Sequence, residues 1–204
     1  MTGKKSKKVN GLYKPDTHEI LLHNKNFETD NQLIYTAIHE YAHHLQCEAS
    51  GGLRSSRSHV SAFWARFHGL LEKAEKQGIY KIGIENSSEL EALTNEIRSN
   101  YLAENGRLMS DLGKLLAKAQ VLCKDAGIRY EDYIDRVLCL PRTAAKTAIK
   151  VSALGLDPSI GYENMKTVAS QGSQEKRLMA QEQLLARKSP DSVKVALSKP
   201  AQEE

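Results

Sequence analysis

The sequence predicts an α+β protein, with a mixed front half followed by an all-helical back half. Three observations carry that expectation. Strand-like runs occur only near the amino terminus, on either side of Pro15-Asp16. From about residue 30 onward, apolar residues recur at the 3.6-residue spacing of amphipathic helices. Between them and the back half, Tyr80–Ser87 forms a polar, glycine-containing link.

The bounds set by composition agree. A chain of 204 residues, 40% hydrophobic and 26% charged, suffices for one ordinary domain or two small ones. Aromatic residues at 6% argue against an aromatic-rich sandwich or a sugar-binding groove. Collagen, a disulfide scaffold and wholesale disorder are excluded by the same figures. No apolar run approaches the ~18 residues of a membrane span, and the basic start MTGKKSKKVNGLY has no apolar stretch behind it to act as a secretory signal. Cys47, Cys123 and Cys139 are odd in number and widely scattered, so they read as reduced thiols of a cytoplasmic protein. The net charge of +4 permits a nucleic-acid partner without requiring one.

In chain order, residues 1–8 carry four lysines and no apolar anchor, which predicts a flexible basic tail. Val9–Tyr13 and Glu19–His23 read as two strands about a turn. Thr29 or Asp30 caps a helix to Glu48, with Leu33, Ile34, Ala37, Ile38, Tyr41 and Leu45 on its apolar stripe. Ser50-Gly51-Gly52 ends it, and a Ser/Arg-rich loop leads to a second helix from Ser58 to Gln77, stopped by Gly78. Ser88 with Glu91 has the spacing of a capping box for a helix to Glu104. A separate helix from Leu108 ends at Gly127, a short one covers Tyr130–Leu138, and Pro141-Arg142-Thr143 starts another. Beyond Gly155, Pro158, Gly161 and Gly172 divide short amphipathic pieces, and Gln174–Lys188 reads as a solvated helix. The resulting division is 1–8 tail, 9–80 front domain, 81–198 helical domain and 199–204 disordered tail.

One motif stands above the rest: His39-Glu40-Tyr41-Ala42-His43 on the first long helix. Side chains four apart lie above one another on one helical face, so two imidazoles can reach one tetrahedral zinc. Glu40, beside His39, is placed to take a proton from a water activated there. A third ligand is required, and His59 is the first choice because it shares a face with Phe63, Arg66 and Leu70. Glu48 or Glu72 are the alternatives. His68 falls about 180° away, and Cys47, a further turn along, reads as a small buried residue. His44 reads as solvent-facing or supporting, and His18 and His23 as surface histidines of the hairpin.

The string Ala37–His43, followed by His59-Val60-Ser61-Ala62-Phe63-Trp64, resembles the core of the SprT-like and YgjP-like zincin metallopeptidases. That resemblance covers about residues 9–78 and implies a zincin-like fold for the front domain. It also implies Zn²⁺ held by His39, His43 and His59, and Glu40 as catalytic base. The ImmA/IrrE-like group, which takes a carboxylate as third ligand and is associated with inactivating phage-type repressors, is also similar. The His59–Trp64 string favours the first group. The cysteine-rich ribbon of some SprT-like proteins has no counterpart here.

Residues 130–152 read as helix, tight turn, helix, similar to the helix-turn-helix of phage and plasmid regulators. Arg142, Lys146 and Lys150 recur every four residues, as a phosphate-facing stripe would. The function these readings favour is zinc-dependent hydrolysis of peptide bonds in a cytoplasmic, DNA-associated protein substrate. The alternative is a DNA-binding regulator, or a repressor-inactivating accessory protein, whose zinc site is structural or vestigial.

Overall fold

Pro15 and Asp16 turn the chain between two four-residue strands. β1 (Gly11–Lys14) pairs antiparallel with β2 (Glu19–Leu22), with Gly11 opposite Leu22 and Tyr13 opposite Ile20. At the end of the turn His18 adopts the left-handed region, φ 54°. The structure is a computed structural model describing residues 1–51 and 59–198. Gly52, the Ser/Arg-rich loop, the expected cap Ser58 and the tail 199–204 lie outside the described residues.

The basic amino-terminal segment is tethered alongside the hairpin. Thr2 N–H donates to the Leu22 carbonyl at 3.0 Å, and the Gly3 and Ser6 amides donate to the Asn24 and Asn26 side chains, each at 2.9 Å. Asn24 and Asn26 supply partners that the lysine-rich composition of the tail does not suggest.

Helix α1 (Asp30–Ala49) begins where expected: Thr29 Oγ1 accepts the Gln32 amide at 3.3 Å. Helix α2 (Ser61–Lys76) packs against it, burying Ala42, Phe63 and Phe67 beneath Ile38, Trp64, Leu70 and Leu71. Removing each phenyl ring from water contributes about 1.5–3 kcal/mol. The helix starts three residues later than the sequence suggests, because Val60 holds the N-cap position in extended backbone without a side-chain cap. His59 therefore precedes α2 rather than opening it. Gly78, φ 70°, ends the segment as expected.

In the back half, α3 (Ser88–Glu96) continues through a π-helical stretch (Ile97–Ala103) into α4 (Glu104–Asp125). The sequence predicts two separate helices here. No proline interrupts the run, and Gly106 is tolerated because a Cβ there would lie 2.6 Å from the Pro158 carbonyl oxygen. Ser87 rather than Ser88 is the cap, accepting the Leu90 amide at 3.2 Å. Then come α5 (Tyr130–Asp132), running on as a π-helix through Tyr133–Val137, and α6 (Arg142–Ala153) with Pro141 at its N-cap. α7 (Tyr162–Ala169), α8 (Gln174–Leu185) and α9 (Pro190–Ser198) complete the order. Leu116, Ile134, Ala145 and Ala148 form the core, with α6 set closely on α4 at Gly113.

At a coarse level the fold is α+β, mostly helical with a small two-stranded antiparallel sheet among the described residues. The chain groups into two units: Met1–Gly83 with the chain from Asp191 onward, and Ile84–Pro190. The last helix thus groups from Asp191 with the front unit, where the sequence pattern assigns it to the back. Among the described residues, no helix is long and apolar enough to cross a membrane.

Candidate metal centre

One turn of α1 separates His39 from His43, and their ring centroids lie 4.8 Å apart. His59 reaches the same place from the approach to α2, its centroid 4.9 Å from that of His43. One donor atom from each of the three lies within 4.8 Å of the others. The Nε2 atoms of His39 and His59 are 3.2 Å apart. Zinc–nitrogen bonds of about 2.0–2.1 Å in a tetrahedron set ligand nitrogens about 3.3–3.4 Å apart, so this pair already has the spacing of one tetrahedral edge.

Aromatic packing holds His59 there although it lies off the helix. Its ring stacks on Trp64 at 5.3 Å and meets Phe63 edge-on at 4.8 Å. Phe63, fully buried, also stacks on His43 at 4.3 Å. The Phe-Trp pair that carries the sequence resemblance thus forms the floor under these imidazoles.

Glu40 is the one buried charged side chain among the described residues, 7% exposed. Such burial is unfavourable unless the carboxyl has partners. Its Oε1 lies 3.3 Å from His39 Nδ1. A carboxylate only accepts, so His39 donates through Nδ1 and keeps the Nε2 lone pair for the cluster. β1 presses against this carboxylate: a Cβ on Gly11 would lie 2.8 Å from Thr36 Cγ2 and 2.9 Å from Glu40 Cγ. Burial, reinforced by His39, holds His43 below the usual imidazole range, which favours its neutral, ligating form. Three imidazoles with a carboxylate orienting one of them suit zinc.

A cleft of about 780 Å³ opens over the cluster, walled by Gly11–Thr17 on one side and by His39, Glu40 and His43 on the other. Tyr13 lines it, its hydroxyl pushed up to about 12 by burial and by a hydrogen bond with Cys47.

The remaining candidates fall elsewhere. Cys47 is buried, and among the described residues neither it nor Glu72 joins a metal-ligating group. Half-buried His68 stacks on Trp64 at 6.0 Å. Glu48 instead faces His18, its Oε1 3.3 Å from Nδ1. With His44 these two form a second group, whose donor atoms also lie within 4.8 Å of one another. The sequence reading leaves His18 and His44 as surface or supporting histidines, although His44 and Glu48 have the same four-residue spacing as the first pair. In the other unit, Arg142 Nε donates to both carboxylate oxygens of Asp135, at 3.0 and 2.9 Å. Lys146 and Lys150 are exposed along α6.

The chain matches no protein-family model, no curated protein and no solved structure.

Proposed function

We propose that the front unit is a zinc-dependent peptidase of zincin type, with His39, His43 and His59 holding the ion and Glu40 acting as general base. The observation that carries this reading is the convergence of three imidazoles beside a buried carboxyl, on the wall of an open cleft. When bound, zinc supplies Lewis acidity that polarises a scissile carbonyl and acidifies water. Glu40 accepts the proton of the attacking water and delivers it to the leaving amine. The Phe63 and Trp64 rings fix the imidazoles, and His39 is held in its ligating tautomer by Glu40. Among the described residues β1 has a strand neighbour on one side only, and its residues line the cleft, so an extended polypeptide is the substrate that fits.

The test is zinc content and cleavage of unfolded protein substrates by the full chain and two variants. His43→Ala should lose the ion of this cluster. Glu40→Gln should keep it and lose cleavage by roughly 10²–10⁴-fold, the contribution of a positioned base. Cleavage undiminished in Glu40→Gln overturns the assignment of the base, and a His43 variant that binds as many ions as the parent overturns the metal site.

A further inference from the structure

We infer a second divalent-metal site, built by His18, His44 and Glu48, that fastens the hairpin turn to α1. It lies beyond the peptidase reading and does not depend on it.

The first support is convergence. His44 and Glu48 are one helical turn apart on α1, and His18 arrives from the hairpin turn. One donor atom from each lies within 4.8 Å of the others, and His18 Nδ1 to Glu48 Oε1 is 3.3 Å. That is the ligand–ligand spacing about a tetrahedral ion with bonds of about 2.0–2.2 Å.

The second support is the way His18 is delivered. It takes left-handed backbone, φ 54°, uncommon for a residue with a Cβ. This places its ring 5.5 Å from that of His44, edge to face. Tyr13 Oη closes the group on the hairpin side, 3.2 Å from His44 Nδ1 and 3.5 Å from His18 Nδ1. Two imidazoles with one carboxylate form a donor set suited to zinc and neighbouring first-row divalent ions.

The consequence follows from topology. His18 sits in the turn of the hairpin whose first strand walls the cleft, while His44 neighbours His43 on α1. An ion bridging the turn and the helix holds that wall in place. The second ion is thus a clamp on the hairpin, separate from the His39–His43–His59 cluster.

The experiment counts zinc on the chelator-stripped full chain by equilibrium dialysis, with hydrogen exchange of the hairpin amides as a second readout. The parent should bind two ions per chain, and His44→Ala, His18→Ala and Glu48→Gln one each. His39→Ala/His43→Ala should retain one, and adding His44→Ala should remove it. In that double variant, zinc at a hundred times its dissociation constant should slow exchange of the β1 and β2 amides by about a hundredfold, wherever their opening breaks the site. A parent whose bound zinc is undiminished in His44→Ala overturns the inference, as does one whose second ion survives all three single substitutions. If the double variant does not fold, the counts for the parent and His44→Ala decide alone. A double variant that binds as many ions as the parent refutes the catalytic site instead, so the two failures are distinguishable.

Discussion

Gly113 tests the packing that orients α6, the helix carrying Lys146 and Lys150. A Cβ added there would lie 2.2 Å from the Ala148 carbonyl oxygen and 2.6 Å from Ser152 Cβ. Ordinary contact needs about 3.5 Å, so Gly113→Ala forces the two helices apart by roughly 1 Å. Alanine gains about 1 kcal/mol over glycine in helix propensity, whereas overpacking a core typically costs about 1–3 kcal/mol. Here the colliding atom is backbone and cannot rotate away, which puts the loss at the upper end and the net near 2 kcal/mol. Gly69 is the control, helical in α2 with nothing within 4 Å of its added Cβ, so Gly69→Ala should gain about 1 kcal/mol. Urea unfolding separates the two substitutions. The fluorescence of Trp64, the single tryptophan, follows the front unit, and far-ultraviolet circular dichroism is dominated by the helices of the back unit. Gly113→Ala should lower the dichroism midpoint, and Gly69→Ala should raise the fluorescence midpoint. A Gly113→Ala chain as stable as the parent would refute the close approach of α4 and α6.

Gly11→Ala should displace β1 or Glu40 by roughly 0.5–1 Å and lower cleavage by about 10–100-fold at unchanged zinc content; full activity would show that β1 does not press on the base. Phe63→Leu, which removes the ring beneath three imidazoles, should weaken zinc binding about 10–100-fold with helix content intact, as a chelator competition would show. The Arg142 guanidinium, by hydrogen bonding, holds the Asp135 carboxyl below the usual carboxylate range. A depressed folded-state value means stability that is present above the unfolded value of about 3.9 and lost as pH falls through the folded one. Asp135→Asn should therefore flatten the acid limb of stability below about pH 4, read as urea midpoints at pH 3 and 7; an unchanged acid limb would sink this reading.

What could be read from the sequence follows the range of the interactions involved. The pair His39/His43 is legible because a helix puts residues four apart on one face whatever surrounds it, and Thr29 caps that helix by a contact three residues long. The helix boundary at His59 is less legible. Where α2 starts depends on Val60 taking extended backbone while Phe63 and Trp64 bury themselves against α1, and no local capping residue announces that. Ser87 and Ser88 are nearly equivalent caps in sequence, and a one-residue choice between them rests on how the helix sits. The run from Ser88 to Asp125 reads as two helices, one to Glu104 and one from Leu108, yet between them the missing Cβ of Gly106 admits the Pro158 carbonyl from more than fifty residues away. The second histidine group is hidden in the sequence for the same physical cause. The spacing of His44 and Glu48 is visible, but their partner His18 depends on a left-handed residue at the end of a Pro-Asp turn and on how the hairpin lies over α1. A four-residue spacing of ligands on one helix is half a metal site. The other half comes from whichever segment the tertiary fold lays across that face, which for His39 and His43 is the lead into α2 and for His44 and Glu48 is the hairpin turn.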